Sequence, residues 1–172
     1  MKLIKPMQVN GIYWPKGTEV LWSDVYGIFV IHIFVNGIGI FVMAYNDEPG
    51  AVIPLYLFGL FTIPMYLHYY VKIFGFDEIK WMMINGALGG LSVYCQLDLF
   101  LSLFGLSVYN YPLFVNVLPA SYFVIYTFLL RQAVLDLTEA RDDKVKRRRV
   151  EFMFVIISVL VSAVSFWLSR MR

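Results

Sequence analysis

One acid lies clearly inside an apolar run: Asp98, in "SVYCQLDLFLSLFG". Insertion scales put a mid-membrane aspartate at about 2.5–3.5 kcal/mol, so such a residue has a reason for being there. Two chemistries fit. Asp98 is either a neutral or hydrogen-bonded acid at a helix contact or interface, or a cation or proton site in a cavity or pore. Gln96 is near it, but residues two apart on a helix do not share a face. Gln96 instead continues a small and polar face through Asn85, Gly89 and Ser92, and Asn116 in the next run approaches from the same side as Asp98. In "VIHIFVNGIGIF", His32 and Asn36 are one helical turn apart, with Gly39 following on that face. The candidate ion or proton residues are therefore Asp98, Gln96, Asn36 and Asn116.

The chain has two histidines, His32 and His68. If the first apolar run enters the membrane and the second returns, their imidazoles differ in depth by roughly 5–6 Å. Bis-histidine ligation of haem b, or a shared proton site, is then the functional alternative. Gly37, Gly39 and Gly59 would make room for it. The plainer reading has His32 and Asn36 bonding to neighbouring helices, at about 0.6 kcal/mol each. His68, beside Tyr69, Tyr70 and Lys72, then reads as an interfacial belt. No cofactor is expected on this balance, with haem b as the alternative.

Little else points to catalysis. There is no nucleophile–base pair, phosphate-cradling glycine loop or pair of catalytic carboxylates. Asp77-Glu78 and Asp142-Asp143 sit beside lysines and read as solvated. The single cysteine, Cys95, excludes an internal disulfide and a zinc spacing, and reads as a small buried apolar residue. No metal site and no soluble-type active site are expected; an intramembrane active site stays open as the alternative.

The elements that carry these residues follow from composition. Of 172 residues 60% are hydrophobic, against about 45–50% in soluble domains. The excess falls in runs near the ~20 residues that cross a hydrocarbon core. Five runs stand out, at about 25–45, 52–74, 81–104, 113–130 and 150–168. Backbone groups in lipid must be satisfied within their own segment, so the runs read as helices. The expected fold is an all-α, polytopic membrane bundle of five helices. The rival count is four plus an interfacial helix, with the fourth run weakest because it is short and contains Pro119. Pro64 and Pro119 are expected to kink their helices.

Basic residues orient the bundle. Lys2, Lys5 and Lys16 precede the first run, "NDEPG" has none, Lys72 and Lys80 flank the next connection, and "GLSVYNYP" has none. The stretch 131–149 carries Arg131, Arg141, Lys144, Lys146, Arg147, Arg148 and Arg149. That alternation predicts a cytoplasmic N-terminus and an outer C-terminus in a plasma or inner membrane. Arg170 and Arg172, in the outer tail 169–172, run against it. Trp14, Trp22, Trp81 and Trp167 fall at expected interface depths.

Segment 1–24 is too broken by Pro6, Gly11, Pro15 and Gly17 for a signal peptide, so the first run is expected to be a retained insertion signal. Asn10-Gly11 suits a tight hairpin turn and "PKGT" a second turn, so a small cytoplasmic β-hairpin is expected to pack on the membrane part or a partner. The transmembrane domain then covers 25–168, with 131–149 as a basic cytoplasmic helical loop. No Gly or Pro interrupts that loop. Its acid-before-base pairs Asp142 with Lys146 and Asp143 with Arg147 support a helix, and the chain is expected to turn near 138–143.

Small residues mark packing faces: Gly86 and Gly90 as a GxxxG, and Ser158, Ser162 and Ser165 as a stripe, within the chain or between copies. Lys144, Lys146, Arg147, Arg148 and Arg149 are expected to meet anionic lipid headgroups, the alternative being an acidic partner. Without interleaved aromatic residues no nucleic acid is expected. The leading functional expectation is a non-catalytic integral subunit that anchors or organises a membrane assembly, as a homo-oligomer or with other membrane subunits. An oligomeric ion or proton channel using Asp98, and a haem-bearing electron-transfer subunit, are the alternatives.

Overall fold

The computed structural model of the chain describes residues 2–9, 12–21, 23–46 and 49–170. The chain forms two compact units, Met1–Asn85 and Gly86–Arg172. The first begins with the small hairpin, strand β1 (Met7–Val9) antiparallel to β2 (Ile12–Trp14), Met7 opposite Trp14 and Val9 opposite Ile12. The Asn10-Gly11 turn lies outside the described residues. At the second turn Thr18 donates its N–H (3.2 Å) and its hydroxyl (2.7 Å) to Pro15 O, and Gly17 takes φ +87°, a left-handed conformation that glycine adopts without penalty. A two-stranded hairpin is marginal alone. This one is tied down: Leu3, Met7 and Val20 are buried, and Lys5 N–H reaches Lys72 O at 3.3 Å.

Helix α1 (Ile28–Ala44) is entered through a π-helical turn at Ser23–Gly27, and α2 (Val52–Ile73) packs against it. The helical period picks the covered faces. They are Ile33, Ile40 and Ala44 on α1, and Leu55, Gly59, Thr62, Tyr66, Tyr70 and Ile73 on α2. α2 runs unbroken through Pro64. Gly75 ends it at φ +94°, where a Cβ would also press Ile4 Cδ1 at 3.2 Å. α3 (Phe76–Leu88) follows; its last turn, from Gly86, belongs to the second unit.

The second unit continues with α4 (Gly90–Ser102), a 3₁₀ turn (Val108–Asn110), α5 (Leu113–Leu137) and α6 (Lys144–Arg170). Among the described residues four helices are long and apolar enough to cross a membrane, judged by length and composition: Val25–Ala44, Val52–Ile73, Leu113–Leu137 and Lys144–Leu168. The exception is the third run, where five continuous helices were expected. It is two helices of 13 residues each, parted at Gly89. Gly86, Gly89 and Gly90 fall within five residues, and glycine disfavours a helix interior by about 1 kcal/mol each.

The fourth run, expected to be weakest, is instead one 25-residue helix through Pro119 and the most buried of the four. Packing of Val115, Leu118, Pro119, Tyr122, Ile125 and Leu129 holds it. α5 runs on past the apolar stretch and ends with Glu139 at φ +52° and Ala140 N–H on Leu135 O at 2.8 Å, so the chain turns within 138–143 as expected. Positions 169 and 170 continue α6 rather than forming a tail; 171 and 172 lie outside the described residues.

Candidate functional site

Asp98 sits on α4, four residues before its end, and is 5% exposed. Its Oδ1 accepts the Ser107 hydroxyl at 2.7 Å and Val108 N–H at 3.0 Å. Asn116, at the start of α5, donates Nδ2 to Val108 O at 3.1 Å, with the Tyr94 hydroxyl at 3.4 Å from the same carbonyl. One buried peptide unit, Val108, is thus held by Asp98 on its N–H and by Asn116 on its C=O. The segment it belongs to joins α4 to α5 and leaves α4 through Gly105 at φ +74°. Such a connection must bond its backbone somewhere. Asp98 and Asn116 supply those bonds here.

Gln96 belongs to a different group. Its Nε2 donates to Ser92 Oγ at 3.1 Å and to Ser162 Oγ at 2.9 Å. Ser162 also contacts Ser92 directly and donates to Ser158 O at 2.6 Å. Ser165, 2% exposed, donates to Val161 O at 2.7 Å. The serine stripe therefore packs α6 against α4 within the chain. Of the GxxxG pair, Gly86 is a close contact, since a Cβ there would meet Val124 Cγ1 at 2.9 Å, while Gly90 has open space.

The inward line on α6 is Arg147, Glu151, Phe154, Ser158, Ser162 and Ser165, at helical offsets of four, three, four, four and three. The opposite side exposes Phe152, Met153, Val155, Ile157, Val159, Leu160, Val164 and Trp167. Polar and small residues face protein and large apolar ones face outward, the reverse of a helix on a soluble protein.

In the first unit Asn36 Nδ2 donates to the Tyr66 hydroxyl at 2.5 Å, across α1 and α2. Asn36 is half-buried there. His32 is not: the imidazole is exposed, because a step of four residues turns about 40° around the helix. His68 is exposed as well, on the side of α2 away from the Tyr66–Tyr70 line, and its ring lies edge-on to Tyr69, 5.9 Å between centroids.

The basic stretch divides. Arg131, in the second half of α5 and 1% exposed, pairs with Glu151, which also accepts from Arg147 at 3.0 Å. Arg141 pairs with Asp136. Lys144, Lys146, Arg148 and Arg149 are exposed. Asp143 caps α6, its Oδ1 accepting the N–H groups of Val145 (2.9 Å) and Lys146 (3.1 Å). Those two bonds, first that from Lys146, hold its carboxyl below the usual aspartate range.

Sequence reasoning missed Glu151 and Tyr66. Glu151 carried one local signal, its i, i+4 spacing from Arg147; Tyr66 carried none beyond sharing a face with Thr62 and Tyr70. No protein-family model, characterised protein or solved structure matches this chain.

Proposed function

We propose that the chain is an integral membrane subunit that anchors or organises a membrane protein assembly, as a homo-oligomer or beside other membrane subunits. The carrying observation is the reversed pattern of α6, with Arg147, Glu151 and serines inward and Phe, Val, Ile and Leu outward. In water each exposed large apolar side chain forgoes about 1.5–3 kcal/mol of burial. In hydrocarbon that penalty vanishes, and small and polar contacts become the favourable ones between helices. The intramembrane polar groups support anchoring over transport. Asp98 is engaged by Ser107 and Val108, Gln96 by Ser92 and Ser162, and Asn36 by Tyr66. The basic residues support a cytoplasmic N-terminus and a cytoplasmic 131–149, in a plasma or inner membrane.

Purification in several mild detergents, followed by native mass spectrometry, tests the proposal. A mass above the monomer is expected, from further copies or from a constant set of membrane proteins. A bare monomer in every detergent, together with gradient-driven flux in vesicles that Asp98→Asn abolishes, would replace this reading with transport. A Soret band in the purified protein would favour the haem alternative.

A further inference from the structure

The outward side of α6 is organised along its length. Arg148, Phe152, Val155 and Val159 follow one another at offsets of four, three and four, all exposed. Arg149, Met153 and Leu160 form the neighbouring row, also exposed. From Phe152 to the exposed Trp167 the helix rises about 22 Å, most of a ~30 Å hydrocarbon core. Cations cluster at one end of that apolar length and a tryptophan lies at the other, the profile of a bilayer from headgroup to headgroup. Between Lys144 and Arg170 the only acid is Glu151, and it is turned inward to Arg131 and Arg147. Arg148 and Arg149 therefore stand outward, directly above apolar side chains; no other acid lies within α6, and the Asp143 cap acts electrostatically on Arg149 alone of the two.

We infer that Arg148 and Arg149, with Lys144, bind the phosphate of an anionic phospholipid whose acyl chains run along Phe152, Met153, Val155 and Val159. A guanidinium presents a planar fork of donors that matches phosphate oxygens two at a time. The apolar rows below have the length and chemistry of a lipid tail. Arg147 is excluded from the site by its bond to Glu151, so the sequence run of three arginines presents two to lipid. The inference rests on the membrane reading of α6. It is separable from assembly, because lipid adducts and subunit mass are read independently.

The test is native mass spectrometry of the full chain in detergent, titrated with phosphatidylglycerol or with phosphatidylcholine of the same acyl length. The wild type should retain phosphatidylglycerol in preference, a comparison that needs no variant. Arg148→Gln with Arg149→Gln should lower that retention by about fivefold per arginine removed. Arg148→Lys with Arg149→Lys should keep most of it, and Lys80→Gln, on an exposed position of α3, should leave it unchanged. Circular dichroism and elution volume establish that the variants fold. Equal retention of the two lipids by the wild type, or an unchanged preference in the double glutamine variant, overturns the inference. So does a dimer that Phe152→Ala disperses with no lipid discrimination, since a second copy would then cover this face.

Discussion

Asp98 stands out in the sequence because a carboxylate is costly in an apolar run, and its partners then decide what it does. Its oxygen accepts from Ser107 and from Val108 N–H. An asparagine can accept the same two bonds, so Asp98→Asn should leave stability and assembly nearly intact. Asp98→Leu strands a hydroxyl and a buried N–H and should destabilise by about 1–3 kcal/mol. Unfolding titrations in detergent compare the two; equal losses would show that charge, not bonding, keeps the aspartate there. Arg131 is the opposite case. Its type and place read only as an orientation signal, yet it is 1% exposed and paired to Glu151. Removing one partner of a fully buried pair costs about 3–5 kcal/mol. Glu151 is 31% exposed, and screening lowers the figure, so Glu151→Gln should cost roughly 1–3 kcal/mol. Adding Arg131→Met should recover part of it, and a double-mutant cycle showing no coupling would contradict the pairing. No local pattern announces the pair, because it closes across a turn.

At the level of elements, glycines divide into those that pack and those that break. The sequence places Gly86 and Gly90 together as one close-contact motif, whereas a Cβ meets Val124 at Gly86 and nothing at Gly90. Gly86→Ala should therefore destabilise, and Gly90→Ala, at the start of α4, should be neutral or stabilise by up to about 1 kcal/mol. Thermal melts in detergent separate them; losses of similar size would mean that Gly90 also packs. The start of α6 makes a prediction in pH. Asp143 has its folded pKa lowered by the Val145 and Lys146 N–H bonds. A lowered value means that the cap's stabilisation is present above the unfolded value, about 3.9, and is lost as pH falls through the lower folded one. Amide protection at Val145 and Lys146 should hold from pH 8 down to about 5 and fall below about 4. Asp143→Asn, which still caps, should remove the pH dependence. Protection that stays level into acid in the wild type would show that the carboxylate does not cap α6 in solution.

The topology of the whole molecule turns on the path of the broken third run. If it crosses, Asn46 and Tyr109 face outward and Arg141 faces the cytoplasm. If it does not, Tyr109 shares the cytoplasmic side and Arg131–Arg149, with its many basic residues, faces out. The positive-inside bias favours crossing. Single cysteines at 46, 109 and 141, in a Cys95→Ala background, should react with an impermeant reagent on intact cells at the first two positions only. Labelling at 141 but not at 109 would reverse the second half of the chain.

Composition and periodicity were enough for the helical class, the hairpin, the approximate limits of the long apolar runs and the turn after Leu137. These depend on the chain's own hydropathy, backbone preferences and spacing, all of them local. The tertiary structure decided what spacing leaves open. It divided the third run at Gly89, kept α5 whole through Pro119, turned His32 outward while Asn36 met Tyr66, and sent Asp98 and Gln96 to separate partners. Asn36 and Gln96 are settled by Tyr66 and Ser162, far away in sequence, and Asp98 by the connection that follows its helix, whereas the break at Gly89 has a local cause in the glycines around it. A helical period can say which residues share a face, but the neighbour that packs against that face comes from elsewhere in the chain.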